Sequence, residues 1–211
     1  PGTGKTSLVY AVAHQLRLGQ VLAWGINSRS TLAEGLYRYD ALARLQQIQL
    51  RQAAGAATDD EADELGSFVT LGPLGSALAA ANAPRALLID EIDKSDVDLP
   101  NDLLGVLDTG AFEVPELRRV KARHPVVQVQ DSEGRLVRIE EGRVAFREFP
   151  FIVMTSNGER DFPAPFLRRC VQCRMPDPGP EHLASIVRAH LDALAEDADM
   201  RRLIDDFLAL R

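Results

Sequence analysis

The chain holds only two cysteines, Cys170 and Cys173, in 211 residues, so no disulfide framework can hold it together. They form a lone Cys-x-x-Cys. A four-ligand zinc site needs two further ligands at suitable spacing, and His14, His124, His182 and His190 show no such grouping. Two reduced thiols on or beside a strand are expected, a usage that suits a cytoplasmic protein. Long apolar runs are also missing. The longest, such as Phe151-Ile152-Val153-Met154, extend only a few residues, so no segment is expected to span a bilayer. No charged-then-apolar leader opens the chain, and no signal peptide is expected. Basic residues are in the minority: 24 Lys and Arg against 31 Asp and Glu give a net charge of −7. That balance disfavours a protein that coats nucleic acid, although it leaves room for a local basic patch. What is present is an ordinary globular composition, 45% hydrophobic and 26% charged, with length for between one and two domains and a sizeable core.

Thr6–Leu18 carries Leu8, Val9, Val12, Ala13 and Leu16 at helical spacing and stops at Gly19. Gln20–Ile26 reads as a short strand, and Thr31–Gln52, rich in Leu, Ala, Gln and Arg, as a helix. The acidic stretch within Ala53–Gly66 is either an interaction tail or, the plainer reading, a solvated loop. Gly75–Asn82 reads as a short helix, Ala86–Asp90 as a buried strand and Leu99–Leu107 as a helix. Between His124 and Phe149, β-rich runs are separated by Asp131-Ser132-Glu133-Gly134 and Glu140-Glu141-Gly142, which predicts hairpins. Phe151–Thr155 and Val171–Met175 complete the expected strands. Pro176–Pro180 reads as a hinge and Glu181–Ala195 as an amphipathic helix. Strands alternating with helices predict an α/β fold with a parallel sheet.

Pro1-Gly2-Thr3-Gly4-Lys5-Thr6-Ser7 leads directly into a helix. This is most of the phosphate-binding pattern G-x-x-x-x-G-K-[ST], with its first glycine beyond the start of the chain. Small residues let backbone N–H groups curl around phosphates, and the helix that follows adds unpaired N–H groups and the positive end of its dipole. Lys5 supplies a movable positive charge, and the Thr6 hydroxyl can ligate Mg²⁺. The complementary half of such a site is acidic and lies at the end of another buried strand. Ala86-Leu87-Leu88-Ile89-Asp90-Glu91 provides it: Asp90 for the metal's hydration shell, Glu91 as general base toward water. A third strand ends in Thr155-Ser156-Asn157. Asn157 can donate and accept, so it can orient the same water, although an Asn after a strand is commonly a turn residue.

Together these segments resemble the AAA+ ATPases, and within them the MoxR group. Leu88-Ile89-Asp90-Glu91-Ile92-Asp93-Lys94 resembles the family's second acidic motif. Leu103–Phe112 looks like the helix and turn that introduce the family's hairpin insertion, and Met154-Thr155-Ser156-Asn157 looks like its first sensor. Phe166-Leu167-Arg168-Arg169 falls where the family carries an arginine finger. The resemblance covers nearly the whole chain. It implies a three-layer α/β/α P-loop NTPase core over 1–175, with 124–149 as a β-hairpin insertion and 176–211 as the beginning of a helical lid. It further implies that the first strand and a second sensor lie outside this window of a longer protein.

On that resemblance, Gly2, Thr3, Gly4, Lys5, Thr6 and Ser7 bind ATP, and Thr6 and Asp90 hold Mg²⁺. Glu91 activates water, Asn157 senses the γ-phosphate, and Arg169 (or Arg168) acts on a neighbouring subunit's nucleotide. The implied assembly is a homo-oligomeric ring of six that remodels a protein client, with a von Willebrand factor A domain as a reasonable partner. The alternative is an NTPase motor or subunit acting on nucleic acid, for example in a defence or restriction system; a scaffold that binds ATP and barely hydrolyses it is a third reading. Two further features have rival readings. Tyr37, within Gly35-Leu36-Tyr37-Arg38-Tyr39, either grips a polypeptide from a pore loop or, as we favour, belongs to a helix start with two packed tyrosines. Arg118, Arg119, Lys121, Arg123 and His124 either touch nucleic acid or an acidic partner or form a solvated face. The second reading is favoured because no aromatic residue is interleaved for base stacking.

Overall fold

Ala86–Asp90 is apolar until its last residue, the pattern of a strand buried on both faces. In the computed structural model, which describes residues 4–54 and 65–176 with Gly179, Glu181, Ser185 and Asp206, this run is strand β4. It is the centre of a parallel three-stranded sheet, between β1 (Leu22–Gly25) and β9 (Phe151–Met154). The register sets Leu22 against Leu87 on one side and Ala86 against Phe151 on the other. Because successive side chains alternate, β4 feeds two cores. Leu87 and Ile89 join Leu22 and Trp24 in the larger one, with Leu74 and Leu78 of α4 (Pro73–Leu78) and Leu103 of α5 (Leu99–Thr109). Ala86 and Leu88 meet Val9 and Ala13 of α1 (Lys5–Gln15) on the opposite face. The fold is thus mixed α/β around a parallel sheet covered on both sides.

A second, six-stranded sheet runs in the order β2 (Tyr37–Tyr39), β3 (Val69–Leu71), β6 (Val126–Gln130), β7 (Leu136–Glu140), β8 (Arg143–Ala145), β5 (Ala111–Glu113). Its middle is the predicted hairpin region: β6, β7 and β8. Both acidic glycine turns form as read. Asp131 accepts the N–H groups of Glu133 and Arg135, each at 2.8 Å, and Gly134 takes a φ of 79°. Glu141 and Gly142 take φ values of 50° and 68° in the second turn. The hairpins are not free-standing. β6 also pairs in parallel with β3 (Val69–Leu71), β8 pairs with β5 (Ala111–Glu113), and Val127, Val129, Ile139 and Val144 point into the larger core.

Three expectations are corrected. The helix over Thr31–Gln52 is interrupted: α2 (Leu32–Leu36) starts at a capping box between Thr31 and Glu34, and α3 (Ala41–Ala54) follows later. Between them Tyr37–Tyr39 forms β2, antiparallel to β3, because cross-strand packing of the two tyrosines outweighs the helical composition around them. The short helix expected at Gly75–Asn82 begins earlier, with Pro73 in its first turn. Val171–Met175 is not a strand; Val171 is fully exposed, so no partner buries it. The strands β3 and β5 and helix α6 (Pro115–Val120) had no counterpart in the sequence reading. The acidic run at 59–64 and almost all of the expected lid at 176–211 fall outside the described residues.

Thr6–Val171 forms one compact unit, and Pro1–Lys5 groups with Gln172–Arg211 as another. Among the described residues, no helix is long and apolar enough to cross a membrane.

Two glycines with opposite surroundings test the packing. A Cβ on Gly75 would lie 1.9 Å from the Leu36 carbonyl oxygen, whereas one on Gly105, inside α5, would meet nothing within 4 Å. Gly75→Ala should destabilise by about 1–3 kcal/mol through overpacking. Gly105→Ala should stabilise by roughly 0.5–1 kcal/mol through helix propensity. Denaturant unfolding of both variants checks the pair.

Candidate functional site

The carboxyl ends of β4 and β9 lie side by side, Ile89 opposite Met154, so the residues that follow each strand share one edge of the sheet. Open α/β sheets bind ligands at this edge. Asp90 ends β4. Its Oδ1 and Oδ2 accept from the Thr6 hydroxyl at 3.3 and 3.5 Å, across 84 positions of sequence. Thr6 is the second residue of α1, so the carboxylate stands at a helix N-terminus. Oδ1 also accepts a short bond, 2.5 Å, from the hydroxyl of buried Thr155, the residue just past β9. The same Thr155 oxygen accepts the Glu91 N–H at 2.9 Å, and the Thr155 carbonyl accepts the Ile92 N–H at 2.9 Å. One threonine therefore ties Asp90, Glu91 and Ile92 to the end of the neighbouring strand.

Glu91 adopts the left-handed conformation, φ 59° and ψ 47°. For a residue with a Cβ this costs of the order of 1–2 kcal/mol, so the surrounding bonds must hold it there. The turn swings the carboxylate toward solvent, where its Oε2 accepts from Lys94 Nζ at 2.7 Å and its Oε1 faces Asn157 Nδ2 at 3.4 Å. Asp93 lies beneath, only 3% exposed, in the 3₁₀ turn Ile92–Lys94. Its Oδ2 accepts the backbone N–H groups of Asn157 (2.8 Å) and Glu159 (3.1 Å). Burial alone would raise the Asp93 carboxyl. The amides of Glu159 and Asn157, with the Ser156 hydroxyl, outweigh it and hold the group below its ordinary value. Lys94 is held above its ordinary value, chiefly by its hydrogen bond to Glu91.

Four predicted residues thus come together: Thr6, Asp90, Glu91 and Asn157. Of the other residues expected to bind phosphate, Gly2 and Thr3 lie outside the described residues. Gly4 takes a φ of 76° directly before Lys5, which opens α1, and Ser7 is exposed on the first turn. Arg168 and Arg169 follow the short helix α7 (Ala164–Leu167). Arg169 grips Asp108 with two nitrogens, Nη2 at 3.0 Å and Nε at 3.3 Å. Thr155 and Asp93 had been assigned no role. Thr155 was visible as the first polar residue after an apolar strand, and Asp93 as the third acid of Asp90-Glu91-Ile92-Asp93.

Tyr37 packs, as favoured, but in strand β2 and not at the helix start expected there. Its ring stacks on Phe112 at a centroid distance of 6.4 Å, and its hydroxyl donates to Glu116 at 3.0 Å. Burial and that bond push its pKa up to about 12. The basic cluster is partly neutralised within the fold, Arg118 by Glu113 at 3.3 Å and Lys121 by Glu141 at 3.8 Å. Cys170 and Cys173 are free thiols. A cleft of about 500 Å³ between the edge of β1 and Arg38, Thr70 and Glu133 contains none of the predicted site residues.

The donor set suits one metal class. A hydroxyl and a carboxylate are hard oxygen ligands, and two of them leave most positions of an octahedral ion to water and phosphate, as Mg²⁺ requires. Among the described residues no group of three or more His, Cys, Asp or Glu could hold a metal unaided. No protein-family model matches the chain, and no curated protein matches it.

The depressed Asp93 carboxyl has a signed consequence. It is charged in the folded state below the pH at which the unfolded group protonates, so its stabilisation is full above the ordinary value of 3.8 and is lost as pH falls below it. Asp93→Asn should therefore show a shallower loss of stability between about pH 4 and pH 2 than the parent protein. Urea midpoints measured across that range, without nucleotide, check it; parallel curves would contradict the assignment.

Proposed function

We propose that this chain is the nucleotide-binding core of a Mg²⁺-dependent ATPase of the AAA+ class, close to the MoxR group. The observation that carries the reading is the contact of Thr6 with Asp90. The threonine of a Gly-Lys-Thr loop meets the acid at the end of a buried parallel strand, and Glu91 and Asn157 stand next to it. In this reading Lys5 and the loop amides bind the phosphates of ATP, and Thr6 and Asp90 hold the metal. Magnesium held there would supply positive charge to offset that of the phosphates. Glu91 takes a proton from water as the water oxygen bonds to the γ-phosphorus and the bond to the ADP oxygen breaks. Asn157 donates to the water and fixes its direction.

Glu91 is not free for this step while Lys94 occupies one of its oxygens. Lys94 is exposed, so it can turn into solvent when nucleotide and water fill the site. Arg169 is supplied to a neighbouring subunit's nucleotide in this reading, which requires its pair with Asp108 to open. Both partners of that pair are about half exposed, and exposed pairs contribute only about 0–1 kcal/mol, so the opening is inexpensive. A ring of six subunits that remodels a protein client follows from the family likeness, with a von Willebrand factor A domain as the partner to test first.

Steady-state phosphate release by the full-length protein tests the proposal. Glu91→Gln should lower turnover by about 10²–10⁴-fold with ATP affinity retained, the scale of a lost general base. Arg169→Ala should bind ATP normally yet lose the turnover that rises with protein concentration. Undiminished hydrolysis in Glu91→Gln would overturn the assignment of the base.

A further inference from the structure

We propose that Asp93 is a positioning residue, which acts on the water-activating pair through the backbone of Asn157. The inference rests on the assignment of Glu91 and Asn157 above and adds what sets the distance between them. Those two residues sit on different connections, one after β4 and one after β9. The carboxylate of Asp93, two residues beyond Glu91, ties the connections together by accepting both the Asn157 and the Glu159 N–H groups on one oxygen. It does so from a buried position, while residues 157–160 of the tethered loop are exposed. The Ser156 hydroxyl, in the same stretch, bonds to the same carboxylate. Arg160 adds a further tie, its Nη1 donating to the Ser95 carbonyl at 2.6 Å.

The sensitivity of the arrangement lies in the 3.4 Å between Asn157 Nδ2 and Glu91 Oε1. That is the outer limit of a hydrogen bond, so a further shift of a few tenths of an ångström breaks it. Catalysis by positioning is steep in distance, with an error of about 1 Å costing roughly 100-fold. A charged acceptor for two amides is also stronger than a neutral one. The effect should therefore grade with the side chain: Asp above Asn, which keeps one carbonyl oxygen, and Asn above Ala.

The test uses the full-length protein with Asp93→Ala, Asp93→Asn, Asn157→Ala and the two double variants. Hydrogen exchange read on the peptide covering 155–161 should accelerate in Asp93→Ala and less in Asp93→Asn. The kcat for ATP should fall about 100-fold in Asp93→Ala and about three- to tenfold in Asp93→Asn, with the affinity for a fluorescent ATP analogue within twofold of the parent. In the Asn157→Ala background either Asp93 change should have no further effect on kcat, because the group acts through Asn157. If Asp93→Ala does not fold, the cycle with Asp93→Asn decides the question alone. Losses that multiply in the double variant, or unchanged exchange at 155–161, would overturn the positioning role while leaving the ATPase reading intact. Absence of hydrolysis by the parent protein would instead remove that reading, and this inference with it.

Discussion

The contact between the Thr6 hydroxyl and the Asp90 carboxylate is the constraint around which the rest of the site is arranged. Neither residue could reach the other without the parallel sheet. α1 lays Val9 and Ala13 against Ala86 and Leu88, which fixes the helix axis over β4 and brings its first turn to the strand's carboxyl end. Each hydrogen bond on Asp90 contributes only about 1–3 kcal/mol net, so these bonds do not hold the sheet together. The order of dependence is the reverse. Apolar burial on both faces of β4 sets the strand, and the strand delivers the carboxylate to its two threonines.

That delivery has a local cost at the next residue. Glu91 sits in a left-handed conformation that a glycine would adopt more readily, yet a glycine could not serve as the proposed base. The conformation is held by a dense set of bonds to the end of β9, with Thr155 binding on both sides of the turn and Asp93 anchoring the loop beyond it. Strain that surrounding structure over-determines is common where a side chain must be presented at an unusual angle. Here it turns the Glu91 carboxylate outward to face Asn157, while the adjacent Asp90 carboxylate stays turned to Thr6 and Thr155.

The parts of this arrangement that could be read from sequence are those with local causes. Ala86–Asp90 announces a buried strand by composition, and the turns at Asp131–Gly134 and Glu140–Gly142 by their glycines and Asx chemistry. Thr6, Asp90, Glu91 and Asn157 stood out because a phosphate loop calls for an acid at a strand end. What escaped notice depends on partners far away in the chain. The three-residue strands β2, β3 and β5 are too short for periodicity to register, and Tyr37–Tyr39 is a strand only because Val69–Leu71 is there to pair with it. Asp93 reads as one more acid in an acidic motif until the amides of Asn157 and Glu159 are seen on it. Arg169 falls where an arginine finger is expected, and its pairing with Asp108, across 61 positions of sequence, is visible only in the fold.

The central claim is that Thr6 and Asp90 together hold a metal-bound triphosphate. Calorimetric titration of ATP into the full-length protein, with and without Mg²⁺, tests it most directly when repeated on Asp90→Asn. The account predicts retention of ATP that is strengthened by Mg²⁺ in the parent protein, and loss of that strengthening in the variant. Binding that ignores Mg²⁺ in both proteins, or no retention of ATP in either, would contradict it.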